Sequence, residues 1–273
     1  MEKFPELIVV GYTNIDINVT PSKKSIHPGG AAYFVAVASS LVLQPVGLVT
    51  RIGTDFDTTF LFQRVLTEGV HIIQDKPTAK STQIYRSDTD LTDRDITLDW
   101  GVAPEVCPDD IPKQWLSHAK YIHIGTMPPK QQAPFLPYLR KHAPQAKISI
   151  DSDIFLLSDP QNVKTVTENF GNADIIFVNR REYEVLKDVV DIHPFVIFKK
   201  DKDGAVFLKK GTVVTETHAA SINPVDVTGA GDILAGTFLA HLTHGDDVQT
   251  SLKEATIIAT ISVTKEGIEH LFP

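Results

Sequence analysis

Three small residues, Gly229, Ala230 and Gly231, stand directly before Asp232 at the start of a helical pattern. Small side chains let the backbone approach a ligand closely, and the amide N–H groups at a helix start attract an anion, most often a phosphate. An acidic residue in the first turn of a helix is common without any catalytic role. Beside an anion site, however, a carboxylate repels the bound anion. Its presence there is explained if it serves as the base for an attacking hydroxyl, because that base must lie next to the transferred group. The combination therefore predicts phosphoryl transfer to an alcohol, with Asp232 as the base.

Residues 12–19 alternate between polar and apolar side chains, which predicts a strand with Asn14, Asp16 and Asn18 on one face. Such a face is either solvated or binds a polyhydroxylated ligand, because one carboxylate can accept two hydroxyl hydrogens. Gly29 and Gly30 precede a second helical pattern. They form either a simple turn or a place where bare backbone approaches a substrate.

Two further sites carry polar groups with more than one interpretation. Asn179 and Glu182 have the spacing of a helix N-cap with a capping box. Lys199 begins the charged segment 199–203 before Gly204. This segment is either a solvated hairpin or brings Lys199 to a phosphate group.

The elements that must position these residues are predicted from the apolar pattern. Short apolar runs predict buried strands at residues 7–11, 46–53, 121–125, 147–151, 174–179 and 195–198. Helices are predicted at residues 33–41, 61–66, 135–142, 181–187 and from residue 233 to a stop at Gly245. Alternation of strands and helices indicates a parallel three-layer α/β sheet. Ligands bind beyond the carboxyl ends of such strands, which is where Asp151, Asn179 and residues 228–231 lie; we call residues 228–231 the glycine turn.

Composition excludes several classes of function. The net charge of −8 over 273 residues argues against a nucleic-acid partner, which needs a basic surface. Cys107 is the single cysteine, so internal disulfides and cysteine metal clusters are excluded, and a reducing cytoplasm is the expected location. The sequence contains no apolar run of membrane-spanning length, and residues 1–7 lack the apolar core of a signal peptide. No histidine spacing typical of a zinc site is present.

Residues 226–232, Asp-Val-Thr-Gly-Ala-Gly-Asp, resemble the C-terminal signature of the ribokinase-like (PfkB) carbohydrate kinase family, with Val227 as its less usual member. The N-terminal half carries two more similarities. Gly11, Asn14 and Asp16 resemble the family's Gly-x-x-Asn-x-Asp opening, and the glycine pair at residues 29–30 resembles its Gly-Gly signature. The resemblance extends over nearly the whole chain.

The resemblance implies one three-layer α/β/α ribokinase-like domain over residues 1–273, with a central, mostly parallel sheet. It also implies a small antiparallel β lid, formed by about residues 12–21 and 77–101. Alternating segments at residues 82–86 and 95–100, with a polar connection at residues 87–94, fit such a lid. A lid over the substrate would exclude the water that competes with the substrate hydroxyl.

The same resemblance implies a role for each motif. The residues expected to form the catalytic turn and base are Gly229, Ala230, Gly231 and Asp232. The residues expected to bind the acceptor are Asn14, Asp16, Gly29 and Gly30. The residues expected on the side of ATP and Mg²⁺ are Asn179, Glu182, Lys199, Thr228, Gly229 and Gly231. Glu182 is expected to hold Mg²⁺ through water, because this ion keeps several waters and needs few direct protein ligands.

Two departures from the family pattern bear on specificity. Phe34 stands where many members carry an asparagine, which predicts an acceptor with hydroxyls arranged differently from those of ribose. Lys199 and Asp201 occupy the places of a threonine and a glycine in the nucleotide turn. The expected function is ATP-dependent phosphorylation of a small sugar or polyol. The acceptor is either inositol-like or a furanose sugar, and the alternative functions are a nucleoside kinase and a non-catalytic regulatory binding protein. The sequence leaves open the identity of the phosphate donor, a requirement for a monovalent cation and the formation of a homodimer.

Overall fold

The computed structural model describes residues 4–88 and 94–273. Its strands are β1 (Leu7–Val10), β2 (Asn14–Val19), β3 (Lys24–Gly29), β4 (Val46–Gly53), β5 (Val70–Ile73), β6 (Ala79–Tyr85), β7 (Arg94–Asp99), β8 (Tyr121–Ile124), β9 (Lys147–Asp151), β10 (Ile175–Asn179), β11 (Val196–Lys199), β12 (Ala205–Lys209) and β13 (Thr212–Thr217). Its α-helices are α1 (Ala31–Ser39), α2 (Lys113–Leu116), α3 (Pro129–Gln132), α4 (Phe135–His142), α5 (Pro160–Gly171), α6 (Arg180–Val190), α7 (Ala230–His244) and α8 (Val248–Ser262).

The central sheet has nine strands within these residues, in the order β13-β12-β11-β10-β9-β8-β1-β4-β5. All pairs from β11 to β5 are parallel, and β12 and β13 add two antiparallel pairs at one edge. Every residue of β1 is buried, because a parallel strand in the middle of a sheet is covered on both faces. The predicted mostly parallel sheet is confirmed.

Helices cover both faces of this sheet. Leu7 and Val9 pack in a core with residues of α1, α7 and α8. Ile8 and Val10 point to the opposite face and pack in a second core with residues of α4, α5 and α6. Alternate residues of one strand thus reach two separate cores, as strand geometry requires. The three-layer α/β/α architecture is confirmed.

Four strands form a second, smaller sheet in the order β3-β2-β6-β7, which we call the small sheet. The pairs β2–β3 and β6–β7 are antiparallel, as expected, whereas β2 and β6 run parallel. Its inner face is polar and buried, with Asp16, Asn18 and Gln83, and its outer face exposes Ile26 and Ile84. Strand β3 was not predicted, because its Pro-Gly ending indicates a turn. Residues 89–93 of the predicted polar connection lie outside the described residues.

The helix expected at residues 61–66 is wrong. Only a 3₁₀ turn, Leu61–Gln63, forms there. The amide of Leu66 donates to the carbonyl of Val46 at 2.8 Å, so this segment runs along the sheet at β4 instead of continuing as a helix. Among the described residues, no helix is both long and apolar enough to cross a membrane.

Candidate active site

Helix α7 begins and ends at glycines in the left-handed region, Gly229 at φ 74° and Gly245 at φ 112°. No side chain caps its first amides. The amide of Ala230 donates to the carbonyl of Val227 at 3.3 Å, and the other N–H groups of the first turn are suited to bind an anion. The ring of Phe34 lies against Gly229, with its Cδ2 2.4 Å from the point where a Cβ would stand. A side chain at position 229 would therefore collide with this ring as well as strain the backbone. Phe34 is buried behind the glycine turn, so this position supports the turn and offers no hydrogen bond to a ligand.

Asp232 lies in the first turn of α7 and is partly exposed. Burial raises the pKa of its carboxyl to about 7; the charge of Asp151 raises it further, while the ammonium of Lys199 lowers it. The charge of Asp16 also contributes to the rise in the pKa of Asp232. A base with a pKa near neutrality can both accept and release a proton at physiological pH.

Lys199 ends strand β11 and is only 13% exposed. Its Nζ donates to Oδ2 of Asp151 at 2.7 Å and lies 3.5 Å from the position a Cβ of Gly231 would take. Burial alone lowers the pKa of Lys199, but the carboxylates of Asp151, Glu182 and Asp232 raise it above its usual value. The interpretation of this residue as part of a solvated hairpin is therefore wrong. A positive charge is held over the first turn of α7.

Asp151 is a site residue that the sequence did not identify as functional. It ends strand β9, next to β10 in the sheet, and is 1% exposed. Burial raises the pKa of its carboxyl, and the charge of Lys199 opposes that rise. The available signal was its position at the carboxyl end of a parallel strand, which alone does not separate a buried ion pair from a solvated carboxylate.

The capping box at the start of α6 is confirmed. Oδ1 of Asn179 accepts from the amides of Arg181 and Glu182 at 2.9 and 3.0 Å. Both carboxylate oxygens of Glu182 accept hydrogen bonds from Asn179, at 2.8 Å from its amide and 2.7 Å from its side chain. Burial raises the pKa of Glu182 to about 8, with Lys199 opposing the rise and Asp151 adding to it. Because both carboxylate oxygens of Glu182 already accept hydrogen bonds, this residue is better suited to contact a cation through the cation's bound water than to coordinate it directly.

The predicted acceptor residues gather opposite the glycine turn. Asp16 is 4% exposed; burial raises the pKa of its carboxyl to about 7, the N–H of Gly30 lowers it and the charge of Asp226 raises it. Gly29 packs so tightly against Asp16 that any side chain there would overlap its carboxylate. Oδ1 of Asn14 is buried without a hydrogen-bond partner among the described residues.

Helices α1 and α7 fix the two halves of the cleft relative to each other. A Cβ on Gly236 would stand 2.3 Å from the carbonyl oxygen of Val35. The hydroxyl of Ser39 lies 2.9 Å from the carbonyl oxygen of Gly236 and 2.7 Å from that of Val35, so its single proton is shared between the two helices. Because α1 follows Gly30 and α7 follows Gly229, this packing sets the distance between the acceptor side and the phosphate side.

Among the described residues, no group of three or more His, Cys, Asp or Glu side chains is arranged to hold a metal ion. The structure thus brings together the glycine turn, Asp232, Lys199 and Glu182, and the charge of Asp16 acts on Asp232.

Comparison with known proteins places this arrangement in a wider group. The chain is 30% identical over 267 residues to a cytidine kinase of Thermococcus kodakarensis, covering 91% of this chain and 92% of that protein. It is 25% identical over 300 residues to a nucleoside kinase of Methanothermobacter thermautotrophicus, covering 100% and 94%. An E. coli protein assigned to ribokinase II, solved with ATP and Mg²⁺, superposes with a TM-score of 0.81 at 16% identity, covering 98% and 95%. Since the family model for pfkB family carbohydrate kinases matches residues 5–273, the chain belongs to that family.

Proposed function

We propose that this chain is an ATP-dependent kinase that transfers the γ-phosphate to a hydroxyl group of a small sugar or polyol. One observation carries the proposal: the carboxyl of Asp232, with a pKa of about 7, follows directly on the glycine turn. A carboxyl tuned to neutrality beside an anion site suits the removal of a proton from an attacking alcohol.

The residues divide the work as follows. Asp16 and Asn14 bind acceptor hydroxyls beside the Gly29–Gly30 backbone. Asp232 takes the proton from the hydroxyl that attacks. The amides of residues 229–231 hold the charge that develops on the transferring group.

The nucleotide side supplies positive charge. The ammonium of Lys199 contacts the phosphates of ATP, beside Thr228 and the glycine turn. Asn179 and Glu182 would hold Mg²⁺ through water. When bound, Mg²⁺ neutralises charge on the phosphate oxygens.

A nucleoside is the second candidate acceptor. It is supported by the two relatives, a cytidine kinase and a nucleoside kinase, whose substrates carry the hydroxyl on a sugar ring. Asp232 argues against a non-catalytic binding protein, because a carboxyl of raised pKa beside the anion site has no evident value without proton transfer.

The test is ADP formation with Mg²⁺ and ATP, GTP or pyrophosphate as donor, against a panel of sugars, polyols and nucleosides. We expect Asp232→Asn to lower kcat about 10²- to 10⁴-fold, the usual contribution of a general base, while ATP still binds. Asp188→Asn, at an exposed position on α6, is the matched control. Full turnover by Asp232→Asn with the best acceptor would remove Asp232 from this role. Binding of a ligand without any turnover of the panel would favour the non-catalytic protein.

We further propose a cytoplasmic homodimer that pairs the outer faces of two small sheets. Ile26 and Ile84 are 57% and 47% exposed there, and a second copy offers the same apolar face to cover them. Light scattering should give twice the chain mass, and Ile26→Asp should return it to that of a monomer. A monomeric wild type would refute the dimer without affecting the kinase.

A further inference from the structure

Gln132, the last residue of α3, bridges two neighbouring strands of the central sheet at their carboxyl ends. The pairing of β8 with β9 ends at Ile124 and Ile150. The next residues along the two strands, Gly125 and Asp151, both offer their carbonyl oxygens to Nε2 of Gln132, at 3.1 and 2.8 Å. Gln132 is 1% exposed. Its side chain therefore connects the two strands just beyond the point where their own pairing stops.

The orientation of this side-chain amide is determined by its partners. Both partners are carbonyl oxygens, so only the NH₂ end of Gln132 can face them, and its two protons can serve one carbonyl each. An apolar side chain of the same length would leave both carbonyls without this donor. Because a buried carbonyl without a hydrogen bond is costly, loss of the amide is expected to displace the strand ends.

Helix α3 is itself anchored from a second helix. Nδ2 of Asn169 on α5 donates to the carbonyl of Pro129, the first residue of α3, at 3.0 Å, and Asn169 is 3% exposed. Helix α3 has only four residues, so it needs such outside contacts to keep its place. The position of the Gln132 amide is thus set from α5.

Gln132 acts on a residue that already holds the ammonium of the candidate site. Oδ1 of Asp151 accepts from the amide of Ser152 at 2.9 Å, and Oδ2 accepts from Nζ of Lys199 at 2.7 Å. Asp151 pairs with Phe177 of β10 on one side, and Gln132 holds it on the side of β8. A shift of the Asp151 backbone would therefore move its carboxylate, and with it the ammonium of Lys199.

We propose that Gln132 is a positioning residue for the nucleotide side of the site: through the backbone of Asp151, it sets where the ammonium of Lys199 stands. The inference rests on the proposed kinase function, in which this ammonium contacts the phosphates of ATP. Gly125 keeps a second anchor without Gln132, since its amide donates to the carbonyl of Val10 at 2.8 Å. Loss of Gln132 should therefore weaken the binding of ATP more than that of the acceptor.

The experiment is Gln132→Met, which keeps the length of the side chain and removes both N–H donors. We expect the KM of ATP to rise about tenfold, the effect of about one net hydrogen bond, with little change in the KM of the acceptor. The Kd of ATP with Mg²⁺, measured by calorimetry, should rise by the same factor. Circular dichroism and the melting temperature report folding. A general loss of stability would not separate the two KM values.

Gln145→Met is the matched control. Nε2 of Gln145 also donates to two carbonyls, those of Leu116 and Ala119, at 2.6 and 3.3 Å. Gln145 lies just before β9, at the amino end of that strand. The control thus loses the same two donors and should keep the wild-type KM of ATP. Equal increases in the two variants, or an unchanged KM of ATP in a folded Gln132→Met, would overturn the inference.

A second variant, Asn169→Leu, removes the anchor of α3 and leaves Gln132 in place. It should raise the KM of ATP by a smaller factor and keep the KM of the acceptor. If Gln132→Met does not fold, Asn169→Leu provides the test. A raised KM of ATP then supports the inference, and an unchanged value refutes it.

A wild type that forms no ADP with any acceptor refutes the kinase function, and urea unfolding then tests the positioning of Lys199 separately. Lys199→Met should cost less stability in the Gln132→Met background than in the wild type, because the ion pair that it removes is already displaced there. The same cost in both backgrounds would show that Gln132 does not position Lys199.

Discussion

The ammonium of Lys199 lies 2.7 Å from the carboxylate of Asp151, and both side chains are nearly enclosed. Glu182 and Asp232 also act on this ammonium, so three carboxylates share one positive charge. An ion pair in such surroundings is costly to break, because the remaining partner is left as an uncompensated charge. The pair therefore fixes where positive charge stands over the glycine turn.

Lys199→Met should destabilise the protein by about 3–5 kcal/mol, the range for removing one partner of a buried pair. Adding Asp151→Asn should recover part of that loss, since the unpaired charge is then gone. Urea unfolding measures both. The control is Lys200→Met, whose partner Glu216 lies 3.7 Å away in a more exposed pair, with side-chain exposures of 24% and 45%; this change should cost about 1 kcal/mol or less. Equal costs for the two lysines would show that the Lys199 pair is not effectively buried.

The pH dependence of kcat/KM should follow the ionisation of Asp232. The carboxyl acts as a base only when deprotonated, so the rate should rise with pH and level off above about 7, the pKa of Asp232. Loss of the ammonium in Lys199→Met should move this rise to higher pH, because Lys199 lowers that pKa. Measuring kcat/KM against pH for the wild type and for Lys199→Met tests both expectations. A profile with the same midpoint in both proteins would separate Lys199 from the base.

Asp16 should make the free protein less stable as the pH rises. Its folded pKa of about 7 lies above the unfolded value of about 4. The protonated form is thus favoured on folding, and this contribution is complete below about pH 4 and lost as the pH rises through about 7. Asp16→Asn should therefore be more stable relative to wild type above about pH 7 than in acid. Melting temperatures at both ends of the range test this, and a constant difference would refute it.

Gly229→Ala should abolish transfer, because the added methyl group meets the ring of Phe34 at a left-handed backbone position. Gly245→Ala is a matched control on the same helix. It is also left-handed but has no atom within 4 Å of the added Cβ, so it should cost only about 1–2 kcal/mol of backbone strain and keep its kcat. Assays of both variants, with melting temperatures, separate strain from collision. Similar activity in the two would contradict a close fit at Gly229.

Glu182→Gln should raise the Mg²⁺ concentration needed for half-maximal activity about tenfold, since the amide loses the negative charge and offers one acceptor oxygen in place of two. Its helix should also start less firmly, because Asn179 donates to both oxygens of the carboxylate. Titration of activity with Mg²⁺ measures the first effect. Glu184→Gln, exposed on the same helix, should match wild type. An unchanged Mg²⁺ requirement in Glu182→Gln would exclude this carboxylate from the cation site.

The sequence predicted best those features that depend on residues within a single helix or strand. The end of α7 at Gly245 follows from glycine and the apolar period, and the capping box of Asn179 and Glu182 follows from their spacing; the start of α7 was expected at residue 233 and lies at Ala230. Buried strands such as Val46–Gly53 were recognisable from continuous apolar runs. These signals lie within one element, so no distant partner has to be known.

Features that depend on distant partners were not predictable in this way. Strand β3 pairs with β2 despite its Pro-Gly ending, and the segment after Leu61 leaves the helical path for a sheet contact. Lys199 looks solvated in a run of charges, yet Asp151, 48 residues earlier in the chain, holds it inside. Similarly, nothing around Thr228 in the sequence indicates its contact with Asn18, 210 residues away.

The contact between Gly236 and the carbonyl of Val35 has a consequence for how reactants come and go. Two helices that touch through bare backbone cannot slide or separate without losing that contact. The starts of α1 and α7, next to Gly30 and Gly229, are thus expected to keep the same relative position throughout the catalytic cycle. Binding of reactants and release of products then require movement of the small sheet, and the rate of that movement sets an upper limit on kcat.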